Sequence, residues 1–282
     1  MKKIVLFADA LKFKPELFEF VSYIAALAPS KITCRFIEPR ELDATPGIKT
    51  LGGQIYVEEI TMSPDEKREL AIKRQQNLNL FREECAKQNI DAIVHSVGSD
   101  DFKNLVHETR YADLAIIDPA IAEDQEFRMP SKLAVEILNN AECPVLIAPE
   151  VFDRIDQVVL AYDGSKSSVF AIKQFYYQLP ELAAKKVAIM HISENYDHKD
   201  HSAEAGMFKE WMALHFANAS TIELKGDAHE ELYKYFMEHE FHSNQLLVTG
   251  AFGRSMISNF FKPSSAELVL KAVDIPVFIA HG

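Results

Sequence analysis

Ile4-Val5-Leu6-Phe7-Ala8-Asp9 and Val158-Val159-Leu160-Ala161-Tyr162-Asp163 are two short apolar runs, each closed by an aspartate. A run of this length without polar alternation reads as a strand buried on both faces, the mark of a parallel sheet. The two aspartates stand 154 residues apart, so the same local design occurs once in each half of the chain. A second pair of runs supports this. Cys143-Pro144-Val145-Leu146-Ile147-Ala148-Pro149 corresponds to Ile275-Pro276-Val277-Phe278-Ile279-Ala280, at an offset of 132. Unequal offsets indicate an internal repeat with different insertions in its two copies.

Working outward, apolar runs alternate with stretches of helical spacing. The first copy predicts strands near 3–8, 32–38, 91–97, 113–118 and 144–149, with helices near 15–28, 64–88, 100–110 and 130–140. Pro15 suits a first helical turn, and Ser63-Pro64 followed by Asp65 and Glu66 is a helix start. Leu70, Leu78, Phe81 and Cys85 then form an apolar stripe. The second copy predicts strands near 156–162, 186–192, 220–225, 245–249 and 276–281, with helices near 166–178, 203–217, 227–241 and 264–273. Strand–helix alternation of this kind gives a parallel sheet covered on both faces. The length fits two domains, 1–150 and 151–282, with the seam near 149–156. Residues 40–62, with Pro46-Gly47 and Gly52-Gly53, form an insertion expected to be a long loop, in which Ile55-Tyr56-Val57 adds a short edge strand.

The formal net charge is -12. This disfavours nucleic acid and anionic membranes as partners, because phosphate contacts need a basic face. The opening Met1-Lys2-Lys3 and its apolar run imitate a signal peptide until Asp9, Lys12 and Lys14 interrupt it. No apolar run reaches the length of a membrane span, and a cytoplasmic location is expected. Cys34, Cys85 and Cys143 are widely spaced, and Cys34 and Cys143 lie in apolar runs. Buried small hydrophobes are the expectation for them, not a disulfide framework.

The richest chemistry lies in Leu246-Leu247-Val248-Thr249-Gly250-Ala251-Phe252-Gly253-Arg254-Ser255, continuing to Phe261-Lys262-Pro263-Ser264-Ser265. A buried strand runs into a glycine turn and then into a helix. Glycine lets a backbone approach a ligand without an intervening Cβ. Free N–H groups of a turn and of a helix N-terminus hold phosphates, and Arg254 and Lys262 add positive charge. Asp163 suits an adenine amine or a ribose hydroxyl; alternatively it caps the following helix, a role for which Ser165 competes. Asp197-His198-Lys199-Asp200-His201 has only two histidines and no nearby cysteine, so a solvated loop is favoured over a metal site. His191 is expected to be half-buried, and Trp211 and His215 to form a helix face packed on the sheet.

Val158–Ser165, with Ser168 and Ala171 beyond it, resembles the opening of universal stress proteins. Gly250-x-x-Gly253, nine residues and a small pair resembles that family's ATP signature, Gly-x-x-Gly-x9-Gly-Ser/Thr. Ile275-Pro276-Val277-Phe278-Ile279 resembles its last strand. The first copy shares the pattern only in outline, through Asp9, the strand order and Cys143-Pro144-Val145. The resemblance implies two tandem Rossmann-like domains of the adenine nucleotide alpha hydrolase-like type. Each would be a five-stranded parallel sheet in the order 3-2-1-4-5 with helices on both faces, and the copies would pair through their fifth strands as an intramolecular pseudo-dimer. Homodimers and an unidentified protein partner are compatible with it.

Carried over, the resemblance places an adenine nucleotide on Asp163 and Ile192 for the base side, and on Gly250, Gly253, Ser264 and Ser265 for ribose and phosphates. ATP with Mg2+ is the expected ligand, in the second copy alone. One departure is Pro263, which stands where the third glycine belongs and removes an N–H donor. In the first copy Asp118-Pro119-Ala120-Ile121 replaces Gly250–Gly253, and Glu123, Asp124 and Glu126 follow. These carboxylates would repel a triphosphate, so no nucleotide is expected there. The chain has no Gly-x4-Gly-Lys-Ser/Thr, His-x-Gly-His, Ser-Gly-Gly-x-Asp-Ser or Gly-x-Ser-x-Gly. No catalytic residue is assigned, and at most slow ATP hydrolysis is expected. The two readings left are a stress-response module that binds adenine nucleotide and a nucleotide-independent interaction scaffold of the same fold.

Overall fold

β1 (Lys3–Asp9) is buried along nearly its whole length, as its unbroken apolar run requires. The structure is a computed structural model. It describes residues 1–38, 45–51, 54–60, 62–98, 102–122, 131–193, 202–216, 218–226, 231, 234–236, 238, 244–250 and 274–280. After β1 come α1 (Pro15–Leu27) and β2 (Lys31–Glu38). Pro15 sits in the first turn of α1, and Leu17, Phe18, Phe20, Val21, Ile24 and Ala25 bury one face. β3 (Thr45–Leu51) and β4 (Gln54–Ile60) precede α2 (Pro64–Lys87). A capping box starts α2. Ser63 Oγ accepts from the Glu66 N–H at 3.2 Å, and the Glu66 carboxylate accepts from the Ser63 N–H at 2.8 Å. β5 (Ala92–Gly98), α3 (Phe102–Thr109), β6 (Leu114–Ile117), α4 (Lys132–Asn140) and β7 (Val145–Ile147) complete the first half.

The second half runs β8 (Gln157–Tyr162), α5 (Lys166–Gln178), α6 (Pro180–Ala183), β9 (Lys186–Ser193), α7 (Ser202–His215), β10 (Ala219–Lys225), β11 (Gln245–Thr249) and β12 (Val277–Ile279). Residues 231, 234–236 and 238 are helical, with Tyr235 and Phe236 buried. The expected helix over 264–273 lies outside the described residues.

One ten-stranded sheet holds both halves, in the order β10-β9-β8-β11-β12-β7-β6-β1-β2-β5. Each half therefore has the order 3-2-1-4-5 in its own strands, all parallel. The halves join where β12 and β7 pair antiparallel, Phe278 opposite Leu146. The repeat is visible in the registers. Ile4 pairs with Leu114 as Val158 pairs with Leu246, which reproduces the offsets of 154 and 132. One buried cluster runs through both halves along a face of the sheet and includes Phe20, Ile24, Leu146, Phe175 and Phe278. Phe152, in the segment between the halves, packs on Phe20 and Tyr23 of α1 at 4.9 and 5.1 Å between ring centroids.

The 40–62 insertion corrects one expectation. Ile55-Tyr56-Val57 lies in β4, which pairs antiparallel with β3 as a separate two-stranded sheet and adds no edge to the main one. The pairing runs from Thr45 opposite Ile60 to Leu51 opposite Gln54. The cysteines are free and buried. Burial pushes the Cys85 and Cys143 thiols up to about 11 and about 12, so they stay protonated and inert at neutral pH.

The carboxyl ends of β1 and β6 are closed by the chain itself. Asp9 is fully buried; its Oδ1 accepts from the N–H groups of Leu11 and Lys12 at 2.7 and 2.8 Å, and its Oδ2 from that of Ala122 at 2.9 Å. Ala122 takes φ 48° to reach it. Asp118 lies beside Asp9 at 8% exposure and accepts from the Ala120 N–H at 2.9 Å. Ser131 Oγ donates to the Ile121 carbonyl at 2.6 Å and caps α4. Burial raises the Asp118 carboxyl to about 6; the Asp9 charge pushes the same way, while the Ala120 N–H and Lys14 oppose it.

Two outcomes follow. Phe278 is fully buried against Phe175 and Leu146 at the junction of the halves. Phe278→Ala should cost about 3–5 kcal/mol in urea denaturation, and because the core is continuous it should displace the transitions of both halves together. The Asp118 carboxyl is raised on folding, so its contribution is fully present below about pH 4 and is lost as pH rises through about 6. Asp118→Asn keeps the oxygen that faces Ala120. It should be more stable than the parent at pH 7 by on the order of 2 kcal/mol, with the difference vanishing near pH 4.

Candidate functional site

β8 and β11 are neighbours in the sheet, but the chain leaves them in opposite directions, toward β9 and toward β12. This divergence is the switch point of an open α/β sheet, the place beyond the carboxyl ends of the strands where such sheets bind ligands. Asp163 follows β8 directly. Its Oδ1 accepts from the Ser165 N–H at 2.9 Å, and among the described residues that is its one hydrogen bond. Gly164 turns the chain with φ +79°, a conformation that favours glycine. Ser165, not Asp163, then caps α5: its Oγ accepts from the Ser168 N–H at 3.1 Å. Capping therefore leaves the second oxygen of Asp163 uncommitted among the described residues.

Gly250 follows β11 on the other side of the switch point and is buried. A Cβ on it would lie 2.4 Å from the carbonyl carbon and oxygen of Ser167 and 2.6 Å from the Ser168 nitrogen. No side chain fits against backbone at that range. The close approach made by this glycine is to the first turn of α5, so its first duty is packing helix against strand.

Tyr162, the last residue of β8, stacks face to face on Phe208 of α7, centroids 3.8 Å apart and planes 2° apart. His191 of β9 pairs in register with Tyr162; its ring is half-buried, as expected, and lies 6.1 Å from that of Tyr162. Nothing in the sequence spacing relates Tyr162 to Phe208, because the two meet only when α7 packs on the sheet. Ile192 lies next along β9, opposite Leu224 of β10. Trp211 and His215 stack at 4.1 Å, and the His215 ring meets Tyr176 of α5 at 4.7 Å. That helix face packs on α5, where the sequence suggested the sheet.

Of the residues singled out for a nucleotide, Asp163, Ile192 and Gly250 thus stand on or just beyond the carboxyl ends of β8, β9 and β11. Gly253, Arg254, Pro263, Ser264 and Ser265 lie outside the described residues, as do His198 and His201. Among the described residues, no group of three or more histidines, cysteines or carboxylates is placed to hold a metal ion. None of their helices is long and apolar enough to cross a membrane. The equivalent position in the first half is shut, because both oxygens of Asp9 are taken by backbone N–H groups and Asp118 stands where Gly250 does.

No protein-family model matches the sequence. The search of curated proteins likewise found no match. Solved structures do match, and along the whole chain. A universal stress protein from Archaeoglobus fulgidus DSM 4304 superposes with a TM-score of 0.61 at 16% identity, over 99% of this chain and 98% of that one. A functionally unknown protein from Pseudomonas aeruginosa PAO1 gives 0.59 at 12% identity, over 99% and 92%. A protein provisionally named a universal stress protein, from Pseudomonas aeruginosa UCBPP-PA14, gives 0.60 at 12% identity, over 99% and 93%. At such identities the likeness is one of fold. Together with the mirrored 3-2-1-4-5 strand order, it shows that this chain has the universal stress protein fold over nearly its whole length.

Proposed function

We propose that the chain is a tandem universal stress protein, a stress-response module whose second copy, 151–282, binds an adenine nucleotide. The first copy, 1–150, is a degenerate partner. The observation that carries this reading is the contrast between the two equivalent aspartates. Asp9 is consumed by three backbone N–H groups, whereas Asp163 keeps one carboxylate oxygen uncommitted among the described residues at a strand switch point. That oxygen suits the amine of an adenine or a ribose hydroxyl, with Ile192 on the base side. Gly253, Arg254, Ser264 and Ser265 complete the proposed site around ribose and phosphates, and Mg2+ enters with ATP, held by its phosphates. Binding shifts conformation or assembly, and the surroundings are those of the cytoplasm.

A second reading rests on Pro263. Its missing N–H subtracts a phosphate donor from the motif, which favours a nucleotide-independent scaffold for a protein partner.

Thermal unfolding with millimolar Mg-ATP separates the two. On the nucleotide reading the midpoint rises by several degrees, equivalent to about 2–3 kcal/mol at a hundredfold excess over Kd, and Mg-GTP does not reproduce the rise. Asp163→Ala should abolish that rise while the unliganded protein stays folded. Identical ATP responses in the parent and in Asp163→Ala would remove Asp163 from the site, and no response in the parent would favour the scaffold. Gly250→Ala should behave differently: it lowers the midpoint with or without ATP, by about 1–3 kcal/mol, because its Cβ meets the α5 backbone.

A further inference from the structure

α7 turns Phe208, Met212 and Phe216 into the core. The opposite face of a surface helix is ordinarily charged or polar. On α7 it consists of Gly206, Met207, Glu210, Ala213 and Leu214, all exposed. Met207 is 61% exposed and Leu214 77%, yet Glu210 is the one charge on this face. The corresponding helix of the first half, α2, is built otherwise. Ile72 and Leu80 are exposed there too, but Glu69, Lys73, Gln76 and Glu83 are exposed among them. An exposed apolar helix face of the α7 kind marks a protein contact, and it occurs in the second half alone.

Gly206 adds a second observation. Glycine inside a helix lowers its stability. Here a Cβ would meet nothing within 4 Å, so no contact within the chain asks for glycine at this position. The close approach of a second helix does ask for it, because the distance between packed helices is set by the side chains at the contact. The face also fits itself. Met207 and Leu214 stand seven residues apart, as Gly206 and Ala213 do, which is about two helical turns. Two α7 helices packed antiparallel about a twofold axis at Glu210 set Met207 of each copy over Ala213 of the other, and Leu214 over Gly206. Large meets small on both sides of the axis, the self-complementarity that a twofold contact needs. A different partner would be chosen largely by charge, and this face offers a single carboxylate.

We infer that two copies of this chain pair through α7 as a twofold dimer. Because the face occurs once per chain, the pairing closes at two copies. The contact spans residues 206–214, about 12 Å of helix. That is the low end of specific interfaces, so the dimer is reversible, with a Kd of about 10–100 µM. The two Glu210 carboxylates meet near the axis and weaken it. Sedimentation of the full chain from about 2 µM to about 500 µM brackets that range. The mean mass should rise from that of one chain toward that of two and no further. Trp211 is the chain's one tryptophan, half-buried on α7 beside Met207 and Leu214. Its emission should move to shorter wavelength over the same concentrations. Leu214→Lys should abolish both changes and leave the unfolding midpoint of the dilute protein unaltered, since Leu214 is exposed. Gly206→Gln should abolish them while raising that midpoint, because a better helix former replaces glycine. Glu210→Gln should tighten the dimer about twofold to fivefold by removing the like charges. A parent that stays monomeric at every concentration would overturn the inference and leave the face to a different partner. Association that survives both Leu214→Lys and Gly206→Gln, or that continues beyond two copies, would overturn it as well.

Discussion

Three residues of β7 and three of β12 hold the molecule in one piece. Val145 faces Ile279, Leu146 faces Phe278 and Ile147 faces Val277. With the repeat offset of 132, this pairing maps onto itself, so it acts as a local two-fold axis with Leu146 and Phe278 at its centre. Each fifth strand is too short to be a stable edge alone and is wholly apolar. Pairing removes both edges at once and leaves β5 and β10 as the outer strands. Because the junction is antiparallel and each half is parallel, the carboxyl ends of the two halves point in opposite directions. Asp9 and Asp163 therefore lie at opposite ends of the sheet, far from each other's surroundings.

The two copies differ beside their aspartates, and the difference starts from a turn length. α5 begins three residues after Asp163, but α1 begins six after Asp9. The short turn brings the first turn of α5 against the end of β11, so close that only glycine fits at 250. In the first half the longer turn gives room for a side chain at the equivalent position, and Asp118 occupies it. The extra residues also supply donors, since the N–H groups of Leu11 and Lys12 both turn onto Asp9. With Ala122 taking the other oxygen, the carboxylate that could receive a ligand becomes part of the core. The cost is a second buried carboxylate, Asp118, whose proton affinity is raised by its burial.

Much of this architecture was legible because buried parallel strands announce themselves as apolar runs, and because each run occurs twice. Pro15 and Ser63-Pro64 marked their helices for local reasons that hold in isolation. The legible part ended where long-range packing decides. The 40–62 insertion read as a long loop with an edge strand at Ile55-Tyr56-Val57, but whether that strand joins the main sheet depends on tertiary placement, and β4 pairs with β3 instead. The Tyr162–Phe208 stack joins residues with no local relation. Between Asp163 and Ser165 the sequence left the capping role open, and the α5 geometry gives it to Ser165. For the site itself, Asp163 and Gly250 fell at the ends of adjacent strands, as the strand order demands.

Gly250 also changes how the glycine motif weighs between the two functional readings. A Gly-x-x-Gly after a buried strand suggests a backbone that approaches phosphates. Here the first glycine is required by the backbone of Ser167 and Ser168, so it would be kept even in a copy that binds nothing. Its presence therefore does not discriminate a nucleotide site from a scaffold. The discriminating position among the described residues is Asp163, whose second oxygen capping leaves uncommitted there. The first copy gives the control. It has lost the glycines and kept its aspartate, but it keeps that aspartate by turning it inward to three backbone donors. An aspartate retained for structure is satisfied from within, as Asp9 is by three backbone N–H groups; among the described residues Asp163 accepts one hydrogen bond, from the Ser165 N–H, and its second oxygen is uncommitted.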